Sequence, residues 1–429
     1  MDRVARRFAA AFIVWPIAMA MAMATALTLI ASGGATRETV NIAPVAANAA
    51  PVTSNAPAVE RLRVEGTRFV GPNGATFRPV FASALSILRR SPAERAVALD
   101  QFKALGFNGI RVFAGRLAWA GQSADDGRRA LPALLREADA RGLHVLVTAV
   151  TDSRDGGYNV ASHLDAVAGI LAAHPGALAE CANEYYHPTQ SNEVNDAKRL
   201  AAMCRAAFAR SGRPWALGAP PFATLQAGRW PVPMGDFVTS HLDRGGDAWA
   251  QLDGVRALRA IQDATRRPVL NSEPIGAGEK DDPGRRLADP DVFFALGVLN
   301  RAFDIGGVFH SESGSNALPL GPVQQAAARA FVAGVAAIPG NEALRYRAIG
   351  SAGSPVASAR LASAGGAVVG AYAFLARNGS AVVVILHRPD ALPDTSIGWA
   401  KGWRIVERLP SRPHVTLVKV SQTSTDVSR

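Results

Sequence analysis

The strongest constraint on the fold is a repeated alternation between short apolar segments and longer amphipathic ones. Eight apolar runs of strand length alternate along the chain with segments whose apolar side chains have helical spacing. These runs are Val80–Ala84, Phe107–Phe113, Leu143–Ala149, Ala177–Glu184, Pro214–Gly218, Asp236–His241, Pro268–Glu273 and Ile305–His310. Strands that alternate with helices form parallel sheets, so eight units within about 270 residues predict an α/β protein with a (β/α)8 TIM barrel.

The segments on either side of the eight units predict smaller structures. Pro72-Asn73-Gly74 separates two short strands within Val64–Pro79, and we expect this hairpin to close the bottom of the barrel. Beyond Pro339 the pattern changes to alternating strands, with Asn378-Gly379 as a hairpin turn. We assign residues 61–338 to the barrel and 339–429 to a small antiparallel, β-sandwich-like domain.

The N-terminal region has the pattern of an export segment. Arg3, Arg6 and Arg7 precede a stretch from Phe8 to Thr36 that contains no charged residue. Residues 8–31 are also long enough for a membrane span of about 20 apolar residues, so residues 1–36 are either a cleaved signal peptide or an inner-membrane anchor. Residues 37–60 lack periodicity and predict a flexible linker. Both alternatives place the folded body outside the cytoplasm, in the periplasm or the extracellular space.

Charge and cysteine content exclude several classes of function. The net charge is +11, but no Lys/Arg block interleaved with aromatic residues occurs, which argues against a nucleic-acid partner. No glycine-rich phosphate loop follows the first strand, and histidines and cysteines lack metal-ligand spacing, so we expect neither a cofactor nor a metal. We favour buried thiols for Cys181 and Cys204, because a strand and the middle of a helix seldom bring Cα atoms within about 7 Å. We expect a monomer.

Two carboxylates end strands on the side of the barrel where active sites lie. Glu184 closes the fourth strand after Asn183, and Glu273 closes the seventh strand. A protonated and an ionised carboxylate about 5 Å apart are the groups that hydrolyse glycosides with retention of configuration. Arg111, near the end of the second strand, would keep Glu273 charged. We therefore predict Glu184 as the acid/base and Glu273 as the nucleophile.

Other side chains near the strand ends are candidates for substrate binding. His241 and His310 end the sixth and eighth strands, and Tyr186 follows the predicted acid. Trp119, Trp230 and Trp249 fall in predicted loops on the same side, where flat rings stack on sugar faces. Ordinary packing is the alternative role for each tryptophan.

These motifs together resemble the cellulase-like glycoside hydrolases of clan A. The resemblance covers Val64 to about His310 and rests on four segments in order: Gly106-Phe-Asn-Gly-Ile-Arg111, Asn183-Glu184, Ser240-His241 and Arg267-Pro-Val-Leu-Asn-Ser-Glu273. The opening hairpin looks like that of glycoside hydrolase family five. The resemblance implies that Asn183 holds the sugar 2-hydroxyl, that Arg111 pairs with the nucleophile and that His241 lines the site.

The chain departs from this family at two positions. In that family the eighth strand often ends with a tryptophan whose ring lies under the sugar at the cleavage point. In this chain the eighth strand ends with His310. A tyrosine is often found shortly after the histidine of the sixth strand, and here that position is Asp243. We expect an exported retaining β-glycoside hydrolase acting on a polysaccharide: β-glucan, mannan or bacterial exopolysaccharide. The alternatives are a non-catalytic carbohydrate-binding or exopolysaccharide-biosynthesis accessory protein on the same barrel, and a lyase or transglycosylase.

Overall fold

The computed structural model describes residues 59–155, 157–229, 234–242, 248–274, 289–310, 318–340, 343–356, 368–387 and 398–423. Its strands are β1 (Arg63–Glu65), β2 (Arg68–Val70), β3 (Thr76–Phe77), β4 (Val80–Ser83), β5 (Gly109–Phe113), β6 (His144–Val150), β7 (Ala177–Ala182), β8 (Trp215–Ala216), β9 (Val238–His241), β10 (Val269–Glu273), β11 (Gly306–Phe309), β12 (Arg345–Arg347), β13 (Val368–Leu375), β14 (Ala381–His387), β15 (Trp403–Arg408) and β16 (Val415–Gln422). Its helices are α1 (Pro92–Ala104), α2 (Ala124–Asp139), α3 (Val160–Ala172), α4 (Asn192–Asn195), α5 (Ala197–Ser211), α6 (Phe222–Gln226), α7 (Ala248–Gln251), α8 (Gly254–Thr265), α9 (Pro290–Phe303) and α10 (Pro322–Ala336).

Strands β4 to β11 form the predicted TIM barrel. The order β8-β7-β6-β5-β4-β11-β10-β9 is that of a closed ring, and the pairs between consecutive members are parallel. The two end strands of this order are linked where the segment before β9 reaches β8. Gly235 forms an antiparallel bridge with Ala216, and the Asp236 amide donates to the Trp215 carbonyl at 2.7 Å.

The bottom of the barrel is closed by β1–β3, as the sequence predicts, although the segment contains three strands rather than two. Leu62 and Phe69 pack under the lowest layer of inward-facing barrel side chains, and the whole cluster is buried. The barrel members of this cluster are Phe81, Leu146, Leu178, Ala216, Phe237, Leu270 and Val308. This apolar layer makes the lower half of the barrel a packed core rather than a channel.

Local capping signals set the starts of the first two barrel helices. Ser91 and Glu94 form a capping box before α1, with Pro92 in the first helical position. Apolar spacing in the sequence predicts a helix over Leu131–Arg141, but Ser123 and Asp126 form a second box before α2, which therefore begins seven residues earlier, at Ala124. Proline is usually found in the first turn of a helix, but Pro132 lies in the middle of α2 and does not mark the start of this helix.

The C-terminal region forms a five-stranded antiparallel sheet in the order β12-β13-β14-β16-β15. The predicted Asn378-Gly379 turn joins β13 and β14. One face of the sheet joins the main core through Phe374, Val384 and Leu417, beside α9 of the barrel. The other face covers a separate apolar cluster that includes Val383 and Val418. The described part of this region contains one sheet, so the second layer of a sandwich is not among these residues.

The expectation of two free thiols is wrong in the structure. Cys181 on β7 and Cys204 on α5 form a disulfide with their Cα atoms 6.2 Å apart. This separation lies within the range of disulfides, because α5 packs directly on the strand that precedes it.

Within the residues that the structure describes, no helix is long and apolar enough to cross a membrane. The predicted export segment, residues 1–36, lies outside those residues.

Candidate active site

The inner face of the barrel changes from apolar to polar one layer above the packed bottom. Two residues after inward-facing Phe81, Leu146, Leu178 and Val308 come Ser83, Thr148, Glu180 and His310. Because strand side chains alternate, positions two apart face the same way, so this second layer also lines the barrel interior. All four second-layer residues are buried.

Arg111 on β5 is the centre of this polar layer and is fully buried. Its Nη1 donates to Glu273 Oε1 at 2.5 Å, and its Nε and Nη2 donate to Glu180 Oε2 at 3.0 and 2.7 Å. Nη2 also donates to Asn183 Oδ1 at 2.8 Å. A buried guanidinium needs paired carboxylates to offset its lost hydration, and here two carboxylates share one cation.

The charge state of Arg111 follows from these contacts. Burial by itself lowers the pKa of Arg111, but Glu180 and Glu273 outweigh burial and raise the pKa above its ordinary value. Arg111 therefore stays charged and favours the ionised form of Glu273. This arrangement confirms the pairing of Arg111 with Glu273 that the sequence predicted.

A β-bulge turns Glu273 toward the barrel interior. Leu270 belongs to the inward-facing bottom layer, so strict alternation along β10 would point Glu273 outward. The pairing with β9 shifts between Asn271, opposite Ser240, and Glu273, opposite His241. One extra residue on β10 reverses the alternation and aims the carboxylate at Arg111.

Glu184 lies just beyond β7 in an uncommon backbone conformation. Its φ is +42°, a left-handed region that costs about 1–2 kcal/mol for a residue with a Cβ. His241 Nδ1 lies 2.9 Å from Glu184 Oε1, and its Nε2 lies 3.5 Å from Glu273 Oε1. The imidazole of His241 thus contacts both carboxylates. The two predicted acids therefore share one site at the barrel mouth.

Two further predicted residues contact these carboxylates. The Tyr186 hydroxyl lies 3.5 Å from Glu184 Oε1, and the Tyr186 side chain is 40% exposed. His310 is buried, with Nδ1 2.9 Å from Ser83 Oγ and Nε2 4.0 Å from Glu273 Oε2. The position where the family often has a tryptophan therefore holds an imidazole that is fixed beside Glu273.

The predicted tryptophans have different environments. Trp119 lies in a short 3-10 turn after β5 and is 54% exposed, and the amide of its neighbour Ala118 donates to Asp152 Oδ2 in the loop after β6. Trp249 on α7 is buried, with its ring against His414 of the β-domain. The described contacts do not bring Trp249 to the carboxylates. Trp230 and Asp243 lie outside the described residues.

Several residues of the site were missed in the sequence. Glu180 accepts hydrogen bonds from Arg111 and from Thr148 Oγ1, the latter at 2.5 Å. The available signal was a carboxylate in the middle of an otherwise apolar strand, at even spacing from Glu184. Gln190 and Ser153, which contact the loop after β7, carried no signal because their partners are backbone groups, each other and the hydroxyl of Ser191.

Comparison with solved structures identifies similar folds. A protein titled as a glycoside hydrolase matches with a TM-score of 0.56 and 13% identity, over 86% of this chain and 98% of that chain. A glycoside hydrolase of family 5 from Bacteroides vulgatus matches with a TM-score of 0.56 and 13% identity, over 85% of this chain and 94% of that chain. The chain therefore has the fold of these proteins, and the likeness extends beyond the barrel into the β-domain. No family model and no curated protein matches the chain.

Proposed function

We propose that this chain is an exported, retaining β-glycoside hydrolase that acts on a polysaccharide such as a β-glucan, a mannan or a bacterial exopolysaccharide. The observation that carries the proposal is the pair of carboxylates around His241. Glu273 is paired with Arg111 at 2.5 Å and lies 3.5 Å from Nε2 of His241. Glu184 lies 2.9 Å from Nδ1 of the same ring. Unequal surroundings for two neighbouring carboxylates are the basis for assigning a nucleophile and an acid.

The first step forms a glycosyl-enzyme ester. An ionised oxygen of Glu273 attacks the anomeric carbon while the bond from that carbon to the leaving sugar oxygen breaks. Glu184 gives its proton to the leaving oxygen, so the released sugar departs as a neutral hydroxyl. Arg111 supports this step by favouring the ionised form of Glu273 before the attack.

The second step hydrolyses the ester. Glu184, now ionised, takes a proton from water while the water oxygen attacks the anomeric carbon. The bond between that carbon and Glu273 breaks, which restores both carboxylates to their starting states. Two inversions give net retention of configuration.

A polysaccharide substrate is supported by the aromatic side chains around the mouth. Trp119 follows β5 and Tyr186 follows β7, and both belong to the small group of large hydrophobic side chains that are strongly exposed. Flat aromatic rings with an apolar face and a polar edge suit the faces of sugar rings, and these two rings are accessible to a ligand. The solved structures with this fold are titled as glycoside hydrolases, which supports the same substrate class.

Export is proposed from the uncharged stretch between Phe8 and Thr36 and the preceding arginines. Fractionation of cells that produce the full chain, followed by N-terminal sequencing, tests it. Recovery of the protein from the cytosol with residues 1–36 intact would contradict export. Sequencing distinguishes a cleaved signal from a retained anchor.

The activity is tested with Glu184→Gln and Glu273→Gln against a panel of glucans, mannans and exopolysaccharides. We expect the parent to release reducing ends and each variant to lose at least about 10²-fold in rate. Glu193→Gln is the matched control, because Glu193 pairs with Arg199 on α5 and contacts neither carboxylate. Variants that hydrolyse the panel as fast as the parent would contradict the assignment.

A non-catalytic carbohydrate-binding or accessory protein is the second candidate, favoured by His310 at the end of the eighth barrel strand. Binding of a polysaccharide from the same panel without release of products would support it. A lyase or transglycosylase would instead give unsaturated or lengthened products, which mass spectrometry distinguishes from hydrolysis products.

A further inference from the structure

The loop after β7 holds the backbone of Glu184 through side chains that do not themselves reach the carboxylate. φ and ψ of a residue describe how its two flanking peptide planes are oriented, so fixing both planes fixes its conformation. In this loop both planes around Glu184 are held by hydrogen bonds. The left-handed φ of +42° is thereby imposed by the surroundings of the residue.

The plane before Glu184 is held by Gln190. Its Nε2 donates to the Asn183 carbonyl at 2.7 Å, and its side chain is 1% exposed. Ser153 Oγ, in the loop after β6, donates to Gln190 Oε1 at 2.8 Å and accepts from the Ser191 amide at 2.8 Å. The amide of Gln190 is therefore itself fixed in orientation by a neighbouring strand's loop.

The plane after Glu184 is held by the loop backbone. The His187 amide donates to the Glu184 carbonyl at 2.7 Å. Asn195 Nδ2 donates to the Tyr185 carbonyl at 2.6 Å and lies 3.3 Å from the His187 carbonyl, which keeps the turn closed. With both planes fixed, the carboxylate of Glu184 points at His241.

We propose that Gln190, oriented by Ser153, is a positioning residue that keeps Glu184 in the left-handed conformation needed for proton donation to the leaving group. The proposal rests on the proposed function, because it assigns Gln190 a role in that reaction. Without the donated hydrogen bond, the Asn183–Glu184 peptide relaxes toward an ordinary φ. The acid then leaves its place beside His241, while Glu273, on β10 and paired with Arg111, is undisturbed.

If Gln190 positions the acid, its substitution should lower kcat/KM only for substrates whose leaving group must be protonated. A sugar is a poor leaving group and needs protonation, whereas dinitrophenolate departs without it. For Gln190→Met, which keeps the volume but removes the donor, kcat/KM on an oligosaccharide should fall about 10–100-fold. On the dinitrophenyl glycoside of the same sugar, kcat/KM should change by less than about threefold, because its cleavage does not need the acid.

The control is Gln101→Met. Gln101 on α1 also donates to a backbone carbonyl, that of Leu320 at 3.0 Å, and accepts from the Leu320 amide at 2.7 Å. Gln101→Met should lower thermal stability about as much as Gln190→Met does. It should leave unchanged the ratio of kcat/KM on the oligosaccharide to kcat/KM on the dinitrophenyl glycoside. Ser153→Ala is a milder second variant, for which we expect the same selectivity with a smaller loss.

Azide adds a readout that a purely structural defect would not move. It attacks the glycosyl-enzyme without help from a base, so it should raise kcat of Gln190→Met on the dinitrophenyl glycoside and yield a glycosyl azide. Equal losses on both substrates, or no loss on either, in Gln190→Met and Ser153→Ala would overturn the role of Gln190 and leave the hydrolase intact. A parent that cleaves neither substrate would overturn the proposed function and this role together.

Discussion

The guanidinium of Arg111 lies 2.5 Å from Glu273 through Nη1, while its Nε and Nη2 are bound to Glu180. The buried cation of Arg111 thereby connects Glu273, the predicted nucleophile, to Glu180, which lies two residues before the end of β7. The planar guanidinium presents its N–H donors to both carboxylates in a rigid fork, whereas the donors of an ammonium all lie on one atom at the end of a flexible chain. The position of Glu273 therefore depends on the shape of Arg111 as well as on its charge.

Arg111→Lys should lower kcat/KM by about 10²-fold, because a lysine keeps the charge but loses the fork that orients Glu273. The measurement is kcat/KM on the best substrate of the panel. Arg95→Lys is the matched control, since Arg95 makes a similar two-nitrogen contact with Glu137 on the outer helices, at 2.6 and 2.9 Å. Equal losses in the two variants would show that the effect is one of folding.

Trp119→Ala should raise KM for a polysaccharide about fivefold with little change in kcat, as expected for loss of one ring-sugar stacking contact worth about 1 kcal/mol. An aryl monosaccharide that does not extend to Trp119 should be hydrolysed as by the parent. Because the side chain is 54% exposed, its removal should leave thermal stability unchanged. Equal effects on long and short substrates would contradict a stacking role.

Much of the fold could be predicted because its signals are local. Apolar spacing in the sequence predicts a helix over Pro322–Ala336, and the structure has a helix with these bounds. The Asn378-Gly379 turn joins two strands, as predicted. The edge strand Trp403–Arg408 was missed because most of its side chains are exposed, so it lacks the alternation that marks a half-buried strand. The inward turn of Glu273 also had no local signal, because its bulge is defined by pairing with another strand.

The meeting of Glu184 and Glu273 at one site could be predicted because each lies at or just after the end of a strand, and strand ends are visible in the sequence. The supporting contacts could not, because Glu180, Thr148 and Gln190 act through residues that are distant along the chain or through backbone groups. A fold-level pattern predicts which charged groups lie together at the barrel mouth. Their positioning depends on tertiary contacts.

His163 on α3 predicts a loss of stability in acid. Arg128 can only donate, so His163 Nδ1 accepts at 2.7 Å and Nε2 donates to the Ala149 carbonyl at 2.9 Å, which requires a neutral ring. Burial, with Arg128 adding to it, lowers the pKa of His163 to about 4 from 6.5. Between these values the unfolded chain binds a proton that the folded chain does not, so stability falls as pH falls from 6.5 toward 4.

This pKa shift corresponds to about 3 kcal/mol of folding stability, which is fully present above pH 6.5 and is lost as the pH falls to about 4. Burial likewise lowers the pKa of His144 to about 4, so it adds to the same trend. Urea midpoints measured across this pH range should fall with pH in the parent and less steeply in His163→Gln. An identical slope in parent and variant would contradict the assignment.

The Cys181–Cys204 disulfide closes a loop of 23 residues in sequence separation. Chain-entropy arguments give such a link about 3 kcal/mol of stability. We expect Cys204→Ser, and the parent treated with reductant under unfolding conditions, to have urea midpoints lowered by similar amounts. Thiol labelling of the unfolded, untreated parent should find no free thiol, and two free thiols would contradict the disulfide.

The most direct test of the two-carboxylate mechanism is to trap the glycosyl-enzyme. In a fluorosugar with a dinitrophenyl leaving group, the fluorine slows both steps and the good leaving group speeds the first, so the ester forms faster than it is hydrolysed and accumulates. Mass spectrometry of the digested protein should find the added sugar on the peptide that contains Glu273, and the label should be absent in Glu273→Gln. A label on Glu184, or turnover with inversion and no label on either residue, would contradict the account.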